Sequence, residues 1–200
     1  MCRASRAQER RQHLIDVARR LFSERGFHAT GVAQIATASG IKVGQIYRDF
    51  QSKEDIVAAI VEIDLAAFLD EDALSDAIEA GDRTAVRNWI GRLMPVDEPI
   101  ESCRMMAEIM AEAARNARIA DIHRAIDRHI RGLAVQALTA LAPDPDQAAE
   151  RARLAELIIA MSLGLADRRI VAPEVDASGL VALMNRIVDD QIAAMDKVTA

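Results

Sequence analysis

Residues 26–54 read GFHATGVAQIATASGIKVGQIYRDFQSKE and contain two short helical segments separated by a tight turn. Thr30 predicts the start of the first segment, because a threonine hydroxyl caps the N-terminus of a helix well. The pair Ser39-Gly40 predicts its end, since glycine adopts the left-handed backbone that a sharp turn needs. The second segment runs from about Lys42 to Arg48.

Longer helices are predicted on both sides of this stretch. Before it, the apolar residues Leu14, Ala18, Leu21 and Phe22 recur with the period of one helical face, and they predict an amphipathic helix over residues 8–25 that ends at Gly26. After it, a helix capped by Ser52 runs without a breaker to the acidic cluster at residues 70–72.

Together these elements form a helix-turn-helix pattern. Its three helices can pack around Leu21 and Phe22 through Val32, Ile35, Ile41, Ile46 and Phe50. The exposed side of the second short helix then presents Lys42, Val43, Gln45, Tyr47 and Arg48. Glutamine pairs with adenine edges, lysine and arginine bind guanine or phosphate, and valine contacts the thymine methyl group. The structural alternative is an ordinary pair of short helices in a bundle.

The rest of the chain shows helical periodicity and no strand-like alternation. Breakers near residues 81, 95–99, 116, 143–145 and 173–179 divide it into further helices, with two long ones over about 146–170 and 178–198. We therefore predict an all-α protein, with a helix-turn-helix head at residues 1–52 and a helical-bundle body at residues 53–200.

The charge is distributed unevenly along the chain. The net charge is −6 over 200 residues, yet residues 1–55 carry +4 and the remainder −10. A basic head on an acidic body predicts a polyanionic partner for the head alone. No apolar run approaches the roughly 20 residues of a membrane span, and no secretory signal is visible, so we expect a cytoplasmic protein without membrane contact. Cys2 and Cys103 are interpreted as reduced thiols.

A family resemblance rests on GFHAT at 26–30, IA at 35–36, ASGI at 38–41, GQIYRDF at 44–50 and SKE at 52–54. These residues resemble the DNA-binding head of the TetR family of bacterial transcriptional regulators. The resemblance implies an all-helical homodimer with a ligand-sensing body. It also implies phosphate contacts by Thr30, Tyr47 and Lys53, base contacts by Gln45, and a dimer interface made by the last two long helices.

Two positions depart from the usual pattern of that family. Lys42 stands where a serine or threonine generally caps the recognition helix, and Asp49 stands where an aromatic residue or histidine is usual. A carboxylate that faces DNA phosphates would repel them. Asp49 would instead be tolerated if it pairs with Arg48 or with a basic side chain of the first helix.

Two sites are predicted in the body. A pocket for a small-molecule effector is predicted at Trp89, Met94, Met106, Ile109 and Met110, because methionine gives adaptable apolar surface, although such a stripe is also typical of plain core. A two-fold four-helix interface is predicted because palindromic half-sites favour a dimer, although a monomer core would look the same. Its residues are Leu157, Ile158, Met161, Leu165, Leu183, Met184, Ile187 and Ile192.

The sequence thus predicts a ligand-responsive transcriptional regulator, a repressor by the habit of the family it resembles, that binds a palindromic operator as a homodimer and is released by a small molecule. The alternative is a helical protein-interaction module whose DNA-binding head is degenerate. No catalytic motif is present, so no enzyme activity is expected, and neither a cofactor nor a metal site is predicted.

Overall fold

The computed structural model describes residues 3–94, 96 and 98–197, and Cys2 lies outside them. The described chain forms α-helices joined by short turns and contains no strand, which confirms the all-α prediction. The helices are α1 Arg3–Arg25, α2 Val32–Ser39, α3 Val43–Asp49, α4 Lys53–Leu69, α5 Glu71–Glu79, α6 Arg83–Arg92, α7 Ile100–Ala113, α8 Ala117–Leu141, α9 Ala148–Val171 and α10 Ala177–Lys197, with a 3₁₀ turn at Pro145–Gln147. None of them is long and apolar enough to cross a membrane.

Glycines in the left-handed backbone conformation end α1 and α2, as predicted. Gly26 has φ = +82° and Gly40 has φ = +68°, where a side chain costs about 1–2 kcal/mol. The prediction that Thr30 caps α2 is wrong. Gly31 is the N-cap, and its N–H donates to the side-chain oxygen of Gln34 at 2.7 Å.

The next two helices begin as the sequence predicts. Lys42 precedes α3 in an extended conformation and makes no side-chain cap hydrogen bond. The Ser52 hydroxyl accepts a hydrogen bond from the Asp55 N–H at 3.2 Å and caps α4. Helix α3 therefore lacks the stabilisation of about 1 kcal/mol that a polar cap supplies.

The chain divides into two compact units, and the first consists of Met1–Leu65 and Arg104–Ala125. Its core combines the apolar stripe of α1 with residues from the short helices and the turns that follow them. These buried residues are Leu14, Ala18, Leu21, Phe22, Ile35, Ile41, Ile46 and Phe50. They confirm the predicted packing, while Val32 is half-buried. Truncation of a fully buried phenylalanine such as Phe22 to alanine costs about 3–5 kcal/mol.

The second unit consists of Ala66–Cys103 and Ile126–Ala200. Its large buried side chains include Leu69, Leu74, Trp89, Ile90, Leu138, Leu154, Ile158 and Val188. Helix α6 is tied to α10 by Arg87, whose Nε lies 2.5 Å from Asp189 Oδ1 and whose Nη2 donates to Asn185 Oδ1 at 3.0 Å.

The compact units do not divide at residue 52. Helix α4 begins at Lys53, and its first turns belong to the first unit together with parts of α7 and α8. The physical reason is that side chains from residues 108–118 bond to the turn after α1 and to the first turn of α4, as described below. A functional boundary need not follow packing, so the division into a head at 1–52 and a body at 53–200 stays a prediction about function.

Candidate DNA-binding surface

Helix α3 exposes one continuous face. Val43 and Tyr47 are 40% and 54% exposed, and Lys42, Gly44 and Arg48 are exposed beside them. The opposite side of the helix is anchored by Ile46 and by Phe50 just after it, both buried. Because residues four apart share a helix face, this anchoring fixes which side chains point outward.

The structure brings five of the predicted DNA-contacting residues together on this one face. Lys42, Val43, Tyr47 and Arg48 are exposed, and Gln45 is half-buried at the edge of the face. The surface offers two cations, an amide, a phenol and a methyl-bearing side chain within two turns. This set matches the chemistry of major-groove edges and flanking phosphates.

Asp49, the residue that departs most from the expected pattern, is paired with Arg10 of α1. Arg10 Nη2 lies 3.0 Å from Asp49 Oδ1, and Arg10 Nε lies 3.1 Å from Oδ2, which makes a bidentate pair. The hydrogen bond and the charge of Asp49 hold the pKa of the Arg10 guanidinium above its ordinary value. Of the partners that the sequence left open, the structure selects the first helix. The carboxylate charge is therefore compensated inside the protein.

Helix α1 makes two further contacts with the helix-turn-helix. The guanidinium of Arg11 lies 5.0 Å from the ring centre of Phe50. His13 Nε2 lies 3.2 Å from the Ser39 carbonyl oxygen, to which it donates when that nitrogen carries the proton. With the Arg10–Asp49 pair, these contacts hold α1 against the ends of both α2 and α3.

Thr30 does not face solvent in this structure, and the phosphate contact by its side chain stays a prediction. The residue is completely buried. Its hydroxyl lies 2.9 Å from the Gly26 carbonyl oxygen and 3.2 Å from the Leu21 carbonyl oxygen, to which it can donate. Thr30 therefore fastens the turn between α1 and α2.

Lys53 is also engaged within the protein. Its Nζ donates to the Phe27 carbonyl oxygen at 2.7 Å and lies 3.9 Å from the ring centre of Phe27. Burial lowers the pKa of Lys53 below its ordinary value, although Glu54 and Glu112 act in the opposite direction. The side chain is half-buried, so the predicted phosphate contact competes with a bond that is already made.

Glu108 of α7 binds the turn after α1, a contact that the sequence analysis missed. The Phe27 N–H donates to Glu108 Oε2 at 3.1 Å. A side chain on Gly26 would place its first carbon 3.0 Å from the same oxygen. Nearby, Glu112 is 5% exposed, and its Oε2 accepts from Arg115 Nε at 2.9 Å. A cavity of about 10 Å³ beside these residues has room for about one water molecule.

The start of α8 binds the first turn of α4. Asn116 caps α8 through its side-chain oxygen, and its Nδ2 donates to Glu54 Oε1 at 3.1 Å. Arg118 Nη2 donates to Asp55 Oδ1 at 2.8 Å. Residues 108–118 thus contact both the turn after α1 and the beginning of α4.

The predicted effector residues fall in both units. Trp89 and Met94 are buried in the second unit, where the Trp89 indole N–H donates to the Leu69 carbonyl oxygen. In the first unit Ile109 is buried and lines the water-sized cavity, Met106 is half-buried and Met110 is 42% exposed. These residues stay a prediction as a ligand site.

The predicted dimer residues divide by exposure. Leu157, Leu183 and Ile187 are 41%, 45% and 37% exposed, and Met161 and Met184 are half-buried. By contrast, Ile158, Leu165 and Ile192 are buried within the chain and belong to its own core. Contact of these residues with a second copy stays a prediction.

The described residues hold no group of three or more histidine, cysteine or acidic side chains that is arranged for a metal ion.

Family comparisons match most of the chain. Residues 14–60 match the family described as bacterial regulatory proteins, tetR family. Residues 82–193 match the C-terminal domain of the BetI-type transcriptional repressors.

Individual relatives match in part. The chain is 47% identical over 57 residues to the HTH-type transcriptional regulator AcrR of Shigella flexneri, which covers 28% of this chain and 26% of AcrR. It is 31% identical over 125 residues to the HTH-type transcriptional regulator UidR of Escherichia coli K12, 57% of each chain. The matched segments thus span between about a quarter and just over half of these relatives.

A solved structure matches nearly the whole length of the chain. It is a transcriptional regulator from Saccharomonospora viridis in complex with choline, with a TM-score of 0.67. Its sequence is 18% identical, and the match covers 93% of this chain and 96% of that one. At this level of identity the match supports the fold. The matched families and relatives are transcriptional regulators, not enzymes.

Proposed function

This chain belongs to the tetR family of bacterial regulatory proteins, and we propose that it is a ligand-responsive DNA-binding transcriptional regulator. It acts in the cytoplasm as a homodimer and, by the habit of the family, as a repressor. The observation that carries the proposal is the exposed face of α3, held outward by Ile46 and Phe50 and clamped to α1 by Arg10 and Asp49.

In this proposal α3 lies in the major groove of DNA. Gln45 and Val43 read base edges, and Lys42, Tyr47 and Arg48 bind phosphates or guanine. A dimer places two copies of α3 on a palindromic operator whose half-sites lie about 34–36 Å apart, or a multiple of that distance. The exposed apolar residues of α9 and α10, such as Leu157, Leu183 and Ile187, supply the interface.

Release by a small molecule requires two states of different DNA affinity, between which the ligand discriminates. Residues 104–125 are placed to couple these states to the head. Glu108 bonds directly to the turn after α1, and Asn116 and Arg118 bond to the first turn of α4, which follows the head in the chain. A shift of α7 that withdraws Glu108 would free the Phe27 N–H and the turn after α1. The first turn of α4 receives its two bonds from Asn116 and Arg118 at the start of α8, so a shift of that segment would move α4 as well.

Binding to DNA from immediately upstream of the protein's own gene tests the proposal. Fluorescence anisotropy over a series of salt concentrations, with a scrambled duplex as control, separates specific from general binding. The Gln45→Ala/Tyr47→Ala variant should lose specific binding and stay dimeric. Thr37→Ala on α2 is a control, because that exposed hydroxyl only bonds to its own helix at Ala33.

The alternative function is a helical interaction module with a degenerate head. Asp49 was the residue that favoured it, since an unpaired carboxylate would repel phosphate. The bidentate pair with Arg10 removes that argument. Sequence-independent, weak binding to both duplexes would restore the alternative.

A further inference from the structure

The second unit contains a cavity that neither the sequence analysis nor the family comparison assigns. It lies between the first turn of α7, the last turns of α9 and the turn before α10, and its volume is about 260 Å³. The space is a groove open to solvent on one side, because Leu165 and Ala172 in its wall are buried while Arg168 and Pro173 are exposed. Its apolar wall consists of Ile100, Leu165, Ala172, Pro173, Val175 and Ala177.

Two arginines form the polar part of the wall. Arg169 Nη2 donates to the Glu98 carbonyl oxygen at 2.6 Å, and Nη1 lies 3.5 Å from Cys103 Sγ. These contacts fix the position of its guanidinium at the cavity. Arg168 is exposed and makes no ion pair within the described part of the chain. Arginines suit the last turn of a helix, where the dipole favours cations, but that role does not account for an apolar cavity beside them.

The lining identifies the chemical class of an occupant. A guanidinium recognises a carboxylate through two parallel hydrogen bonds, and the apolar wall accepts a hydrocarbon body. The volume lies just below the range of drug-sized pockets, which limits the ligand to a small molecule. Quaternary ammonium ligands are bound by aromatic rings, and none of the lining residues is aromatic. We propose that this cavity binds a small organic anion with an apolar body, such as a carboxylate, and is an effector site.

The claim that this cavity is an effector site rests on the proposed function. Helix α7 is continuous from Ile100, which lines the cavity, to Glu108 and Glu112 on the same helix. Glu108 is the residue that accepts a hydrogen bond from the Phe27 N–H. An occupant that contacts Ile100 therefore touches the helix whose later turns bind the helix-turn-helix segment.

Calorimetry with sodium octanoate as the probe tests the binding, with octanol and octyltrimethylammonium as neutral and cationic controls. We expect saturable binding of octanoate with a 1:1 ratio to the chain, and at least about tenfold weaker binding of both controls. The whole chain is used without DNA, so the result does not depend on DNA binding. Equal binding of octanoate and octanol overturns the anion assignment, and no saturable binding at millimolar octanoate overturns the site.

Substitutions of the lining residues test whether octanoate binds in this cavity. Arg168→Gln should weaken octanoate binding about tenfold or more, since a charged hydrogen bond is lost. Arg153→Gln is the matched control, because Arg153 is an exposed arginine of the same helix that pairs with Glu150. Ala177→Phe should fill the cavity and abolish binding, and circular dichroism verifies that each variant is folded. Unchanged binding in Arg168→Gln and Ala177→Phe contradicts the proposal.

DNA release is measured separately by adding octanoate to the DNA complex in the anisotropy assay. Release by octanoate in the wild-type protein, but not in Arg168→Gln, supports the effector role. Octanoate binding without release overturns the effector role and leaves the anion site in place. If the protein binds no DNA at all, the proposed function fails, while calorimetry still decides on the site.

Discussion

At the scale of single residues, Asp49 changes the expectation for DNA binding most. The position of Asp49 predicts that its carboxylate repels DNA phosphates. In the structure the carboxylate instead forms a bidentate salt bridge with Arg10, which links α1 to α3. Arg10 is 32% and Asp49 18% exposed, so the pair is partly shielded from solvent. We expect the pair to orient the exposed face of α3.

A double-mutant cycle tests this salt bridge. We predict that Arg10→Ala and Asp49→Ala each lower the melting temperature, and that the double variant loses less than the sum of the two. Arg10→Ala should weaken DNA binding as well, because α3 loses its orientation. Additive losses, or a gain in DNA affinity in Asp49→Ala at unchanged stability, would show that Asp49 faces phosphate instead.

Substitution of Gly44 by alanine should change stability and DNA binding in opposite directions. No heavy atom lies within 4 Å of a Cβ placed on Gly44, so alanine fits the isolated protein. We predict that Gly44→Ala raises stability by about 0.5–1 kcal/mol and weakens operator binding, since the added methyl group lies where the DNA approaches α3.

The matched control is Gly132→Ala in α8, where space is equally open. It should stabilise the protein to a similar degree and leave operator binding unchanged. Thermal melts and anisotropy measure the two effects, and wild-type affinity in Gly44→Ala would contradict the docking of α3.

At the scale of elements, the sequence predicted what is local. Helix ends at Gly26 and Gly40 and the cap at Ser52 depend on near neighbours, and they are confirmed. The roles of Thr30 and Glu108 depend on tertiary contacts, in the latter case with a residue 81 positions away. Periodicity predicts that a helix has an apolar face, but it does not tell whether that face meets the chain itself or a second copy.

The hydrogen bond from Asn116 of α8 to Glu54 of α4 should depend on pH, because Glu54 titrates. Burial alone would raise the pKa of this carboxyl. Hydrogen bonds from its own backbone, Asn116 and Ser52, together with the charge of Lys53, bring it below the ordinary value of 4.5. A lowered pKa in the folded state stabilises the protein above about pH 4.5, and this stabilisation is lost as the pH falls through the folded-state value.

We therefore predict that Glu54→Gln lowers the melting temperature at neutral pH and that the difference from the wild type shrinks as the pH falls below 4.5 and through the folded-state pKa. Glu62→Gln, an exposed position on the same helix, is the control and should change little. A pH-independent difference for Glu54→Gln would show that the carboxylate charge plays no part in this bond.

The apolar face of α9 and α10 should be a dimer interface. We predict that Leu183→Glu weakens dimerisation at least about 30-fold, because a charge would be buried among apolar side chains without a partner. Sedimentation equilibrium measures the change. Met110→Glu, at another exposed apolar residue, is the control, and a Leu183→Glu protein that stays dimeric would contradict this interface.

At the scale of the whole molecule, charge and connectivity agree with a DNA-binding regulator. Residues 1–55 carry a net charge of +4 in a chain whose total is −6, so attraction to a polyanion is confined to the helix-turn-helix segment. The same compact unit takes in residues 104–125, which lie far along the chain. In the proposed function, this connectivity would let helices α7 and α8, as well as α4, carry a ligand signal to the head.

A footprint of the protein on the DNA upstream of its own gene tests whether α3 reads an operator. We expect two protected blocks whose centres lie about one helical turn apart, or a multiple of it. Both blocks should vanish together in the Gln45→Ala/Tyr47→Ala variant, while the dimer remains intact. Protection that persists in this variant would contradict the claim that α3 reads the operator.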